Sequence, residues 1–149
     1  HHALFDLSVT TQGDLHIDDH HTVEDTALAL GEALDVALGD RAGINRFGNA
    51  QVPMDEALAT AAVDLGGRPY AVISVPLANP AIGNFTTQNL PHALESLAQT
   101  ARSRVHITAD GRNDHHIAEA AVKALARSRR VACEIDRRRS GVASTKGSL

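Results

Sequence analysis

Aromatic residues are scarce: the 149-residue chain has no tryptophan, and aromatics make up 3% of it. A core made from what remains is dominated by alanine, leucine and valine, so it must be finely packed from small side chains. There is one cysteine, Cys133, which excludes an internal disulfide framework and fits a reducing cytoplasm. There is no excess of basic charge; the net charge of −4 gives no reason to expect nucleic acid as a partner. No apolar run approaches the roughly 20 residues that span a bilayer, so no membrane association is expected. No signal peptide is visible. The chain also lacks an initiating methionine, and a preceding segment is expected.

What is present is a hydrophobic fraction of 43%, ample for one domain or one pair of half-domains. Phe5, Leu7 and Val9 alternate with polar residues, and Leu15 and Ile17 continue the pattern after a turn at Gly13; this predicts a half-buried strand. From His20 to Leu38 the apolar period becomes helical, with Asp18 or Asp19 at the N-cap and Gly39 ending the helix. Residues 50–75 read as a hairpin turning at Gly66-Gly67-Arg68-Pro69. Residues 79–86 read as a loop, 90–102 and 115–131 as helices, and 105–108 as a short strand. Residues 136–149 form a polar, basic tail.

Two blocks repeat. DDHHTVEDT carries His20, His21 and Glu24; NDHHIAEA carries His115, His116 and Glu119. Imidazole and carboxylate at helical spacing suit a divalent metal, and two matching pairs are hard to explain as solvated polar residues. Adjacent residues of a helix point about 100° apart. A histidine pair therefore feeds two ions more easily than one, and its glutamate can share a face with either histidine. The repeat makes the chain two half-repeats, residues 1–45 and 46–135, followed by the tail 136–149. In the second half, His92 lies on the helix preceding the histidine-bearing one. Its counterpart in the first half falls in a strand–strand–helix segment expected ahead of residue 1. Counted with that counterpart, the ligands divide into three histidines and one glutamate per ion. This leaves positions open for substrate and favours Mn, Fe, Ni, Co or Zn over Ca or Mg. Two other readings stay open at this point: a hydrolase using one metal-bound water, and a non-enzymatic metal-storage shell.

Six motifs in order, HHTVEDTALALGEAL, RFG, PMDEALA, GRPY, DHHIAEAAVKALAR and STKGSL, resemble imidazoleglycerol-phosphate dehydratases of histidine biosynthesis. The resemblance covers essentially the whole chain. It implies an α/β fold of the α+β type, a pseudo-repeat of two similar halves, each a four-stranded sheet packed against two helices, the first half being incomplete here. It implies a cytoplasmic lyase that dehydrates imidazole glycerol phosphate to imidazole acetol phosphate. It further implies two Mn2+ per active site, sites between subunits, and a shell of 24 subunits.

By resemblance the metal ligands are His20, His21, Glu24, His92, His115, His116 and Glu119. The substrate phosphate falls to Arg46, Arg68, Ser144 and Lys146, and His2 contacts substrate. Glu119 and Glu24 are candidates for proton transfer, with Asp55 near the departing hydroxyl. The chain departs from the family at its front, where the first strands and one histidine ligand are absent, so the fragment as written is expected to be short of a ligand and impaired.

Overall fold

The computed structural model describes residues 1–147; the last two residues of the expected tail lie outside it. Helix α1 spans His20–Leu38 and stops where Gly39 turns to φ 54°. Strands β1 (Phe47–Met54) and β2 (Ala57–Asp64) follow, then β3 (Tyr70–Ser74) and a minimal hairpin of β4 (Ala81–Ile82) and β5 (Phe85–Thr86). Helix α2 (Asn89–Thr100), strand β6 (Arg104–Asp110) and helix α3 (Asp114–Cys133) complete the order.

The main sheet runs β1-β2-β6-β3, antiparallel except for β3 beside β6. Ala59, Ala61, Val63, Val105 and Ile107 point to one face and are buried under α2 and α3. The opposite face, with Leu58, Tyr70 and Val72, stays open. Small residues set the spacing. A Cβ on Gly48 of β1 would lie 2.1 Å from the Ser128 carbonyl oxygen of α3, so only glycine permits this approach. The buried Ser128 hydroxyl is satisfied by the carbonyls of Ala61 (3.0 Å) and Ala124 (2.8 Å). Helix α1 packs on α2 through an equally close contact at Gly31, where a Cβ would stand 1.9 Å from Thr100 Oγ1.

Three expectations are corrected. Residues 5–9 and 15–17 form no strand, and Leu7, Leu15 and Ile17 are about two-thirds exposed (66%, 65% and 68%). β6, the strand before α3, is flanked by β2 and β3; the segment before α1 has no strand of the described residues beside it, and a lone strand cannot satisfy its backbone. The hairpin turns at Asp55-Glu56, not at residues 66–69, with Asp55 in the left-handed region at φ 48°. Consequently β3 pairs in parallel with β6 rather than with β2. The loop 79–86 contains the β4–β5 hairpin.

Candidate metal centre

The helical period brings His20 and Glu24 onto one face of α1, one turn apart, and the packing of α2 delivers His92 beside them. The His20 and His92 rings stack, 4.9 Å between centroids and 15° between planes. Glu24 bridges them: Oε2 is 3.5 Å from His20 Nε2 and Oε1 is 3.3 Å from His92 Nε2. One ligand atom from each of the three lies within 4.8 Å of the others. His92 Nε2 is buried with no hydrogen-bond partner among the described residues. A buried, unpartnered imidazole nitrogen beside a carboxylate and a second imidazole nitrogen fits a divalent transition metal.

The group has a support the sequence did not signal. Asp19 Oδ1 accepts from Asn89 Nδ2 at 2.9 Å, and Asn89 Oδ1 lies 3.2 Å from His20 Nδ1. Asp19 Oδ2 accepts the Thr86 N–H at 2.8 Å, which is the leading cause of its lowered pKa. Asp19 therefore stands at the N-cap position without capping: the cap bond to His20 N–H comes from Asp18 Oδ1 at 2.9 Å. Asn89 lies one turn before His92, and that spacing was its only trace in the sequence.

The second histidine pair opens α3, where Asn113 caps by accepting the N–H groups of His115 (2.9 Å) and His116 (3.3 Å). His115 Nε2 is 3.0 Å from Glu119, whose other oxygen holds Lys123 at 2.6 Å. Lys123, ahead of His115, keeps the Glu119 carboxyl below the ordinary range. His116 Nδ1 meets Glu56 Oε2 at 2.8 Å, and its Nε2 is 3.5 Å from Asp55. Glu56 also accepts the backbone N–H groups of Arg112 and Asn113. These contacts, His116 first, hold Glu56 at a pKa of about 2, and Glu56 in turn raises His116. Glu56, adjacent to the singled-out Asp55, is the acid that engages this block most closely.

Among the described residues only His20, Glu24 and His92 bring three potential ligand atoms within mutual reach. His21 lies 3.7 Å from Asp14, and the second block divides into two pairs, exposed His115 with half-buried Glu119 and half-buried His116 with Glu56. His2 stacks edge-on against His1 and joins neither group.

A separate pocket of about 450 Å³ is lined by Arg46, Gly66, Arg68, Ala143, Ser144, Thr145 and Lys146. Arg46 anchors it. Its Nε and Nη2 donate to Asp64 at 2.6 and 3.1 Å, and its Nη1 donates to the Ala143 carbonyl at 2.5 Å. Burial would raise Asp64, but Arg46 and Arg104 lower it on balance. The carboxylate thus stays ionised and the tail is tied to the sheet. The four positions assigned to phosphate by resemblance share this one cavity.

Residues 1–128 match the family model described as imidazoleglycerol-phosphate dehydratase. The chain belongs to this family. The imidazoleglycerol-phosphate dehydratase of Frankia casuarinae is 55% identical over 149 residues, covering 99% of this chain and 76% of the relative. That of Methanothermobacter thermautotrophicus is 53% identical over 148 residues, covering 99% and 75%. The dehydratase structure from Pyrococcus furiosus superposes with a TM-score of 0.79 at 40% identity, covering 93% of this chain and 74% of that one. The Staphylococcus aureus structure gives 0.78 at 33% identity, covering 84% and 71%. The chain is a dehydratase, a hydro-lyase of the dehydration step in histidine biosynthesis. No helix among its described residues is long and apolar enough to cross a membrane.

Proposed function

We propose that the dehydratase converts imidazole glycerol phosphate to imidazole acetol phosphate in the cytoplasm, at a centre of two Mn2+ ions completed between subunits of a 24-subunit shell. The observation that carries this reading is the convergence of His20, Glu24 and His92 around a buried, unpartnered nitrogen. His21, His115, His116 and Glu119 lie outside that group, paired instead with Asp14, with each other or with Glu56, and in this reading they serve as ligands shared with another subunit. The half-repeat division at residues 45 and 135, and a phosphate-binding tail from 136, belong to the same proposal.

Bound there, the ions would supply Lewis acidity that favours the imidazolate form of the substrate ring. The remaining work falls to side chains. Arg68, Lys146 and Ser144 take the phosphate dianion, which Arg and Lys bind through charge-assisted hydrogen bonds. Arg46 contributes the N–H donors that Asp64 and Ala143 leave free. Glu24 and Glu119 are the carboxylates at the centre, and removal of the weakly acidic carbon-bound proton is assigned to one of them. Lys123 keeps Glu119 ionised and therefore able to accept. Asp55, exposed on its turn beside His116, is assigned a role near the departing hydroxyl. His2 is assigned a substrate contact on the family pattern alone.

The test is to supply Mn2+ and imidazole glycerol phosphate to full-length protein and follow formation of the enolisable ketone. Metal uptake without product would defeat the dehydratase mechanism and leave a storage role.

A further inference from the structure

Asn89 is 2% exposed, and both of its side-chain polar atoms are engaged. The direction of these bonds follows from what each group is able to donate. Asp19 accepts the Thr86 N–H with one oxygen and faces the Asn89 amide with the other. A carboxylate has no proton to give, so the amide atom facing it is the NH2. The opposite atom, 3.2 Å from His20 Nδ1, is then the carbonyl oxygen, which only accepts. The proton of neutral His20 must therefore sit on Nδ1. Its lone pair is left on Nε2, the atom 3.5 Å from Glu24.

We propose that Asn89 is a positioning residue for the metal centre: the relay Thr86–Asp19–Asn89 holds His20 in the Nδ1–H tautomer and aims Nε2 at the Glu24–His92 group. This inference rests on the metal reading above. Metal-binding histidines commonly have their second nitrogen fixed by a carboxylate or carbonyl, which sets tautomer and ring orientation. Here an amide carbonyl does so, backed by a carboxylate one step further out. The other histidine pair carries the same arrangement in a shorter form, with Glu56 Oε2 directly on His116 Nδ1. In each pair, one histidine has its Nδ1 against an oxygen and its Nε2 beside a second carboxylate, Glu24 at 3.5 Å for His20 and Asp55 at 3.5 Å for His116.

Asn89→Leu removes the acceptor while keeping an apolar side chain of similar size in α2. In metal-free protein, the 15N signals of the His20 ring should lose the Nδ1–H pattern seen in the unsubstituted chain. Manganese affinity should fall roughly 10- to 100-fold. Exchanging acid and amide, Asp19→Asn with Asn89→Asp, keeps every donor facing an acceptor and should restore both readouts. A purely structural role for Asn89 would alter thermal stability without altering the tautomer or the affinity of folded protein. The inference is overturned if Asn89→Leu binds manganese as the unsubstituted chain does, or if His20 keeps its Nδ1 proton. Should that variant not fold, the same readouts are taken on Asn89→Met, which also removes the acceptor and fills the space with an apolar chain. Failure of the metal reading itself would show separately, as unsubstituted protein that takes up no manganese.

Discussion

Asp19 and Asp114, each the residue immediately before a histidine pair, grip the two ends of one loop. Asp19 accepts the Thr86 N–H at 2.8 Å, and Asp114 accepts the N–H groups of Ala78 (3.0 Å) and Asn79 (2.7 Å). The repeated acid therefore serves as a tether in both copies, fixing residues 78–86 against both histidine-bearing helices. The Ala78 N–H leads the contacts that hold Asp114 below its ordinary range.

The acid limb of stability should depend on Glu56. Its folded pKa of about 2 lies below its ordinary 4.5, so its contribution is fully present above pH 4.5 and is lost as pH falls toward 2. His116 is raised above its ordinary 6.5, so its share is full below that pH and is lost as pH rises through the folded value. The pair therefore contributes most between about pH 4.5 and 6.5. Melting temperature against pH should flatten below pH 4.5 in Glu56→Gln; an acid limb identical to that of the unsubstituted protein would count against this role.

Arg68 and Arg46 should separate binding from folding. Arg68→Met removes a charge-assisted phosphate contact of about 1.5–3 kcal/mol, so KM should rise roughly 10- to 150-fold with the melting temperature unchanged. Arg46→Met should raise KM and also lower the melting temperature, because Asp64 and the Ala143 carbonyl lose their donor. Steady-state kinetics beside thermal melts decide it; an unaltered KM in Arg68→Met would remove that residue from the phosphate site.

Arg129 should be a liability. It is 5% exposed, Nε and Nη2 have no partner among the described residues, and burial pulls its pKa down to about 10. Arg129→Met replaces a desolvated cation with an apolar chain and should stabilise by about 1–4 kcal/mol in denaturant titration. A loss of stability would count against a net cost of burying this guanidinium.

Gly48→Ala should cost about 3 kcal/mol, since the added methyl meets the Ser128 backbone at 2.1 Å and neither β1 nor α3 has a flexible side chain there to yield. Urea unfolding measures it; a cost under about 0.5 kcal/mol would mean that the helix and strand separate freely.

Residue order by itself determined the three helices and the strand before α3, and it marked the two HHxxE blocks as candidate metal ligands. Helical period, caps and i,i+4 ligand pairs are local properties, written within a few residues of one another. Locality also explains the failures. The alternation at residues 5–9 is real, yet pairing depends on a neighbouring strand that no local pattern supplies. Asp55-Glu56 has no turn glycine, so the hairpin's reversal was legible only as the register Met54 opposite Ala57. Tertiary structure alone decided that His92 joins the first histidine block, that Asn89 and Asp19 set the His20 tautomer, and that Arg46, Arg68, Ser144 and Lys146 surround one cavity. Those relationships join residues far apart in sequence, and burial and hydrogen-bond partners across such distances exist only once the chain has packed.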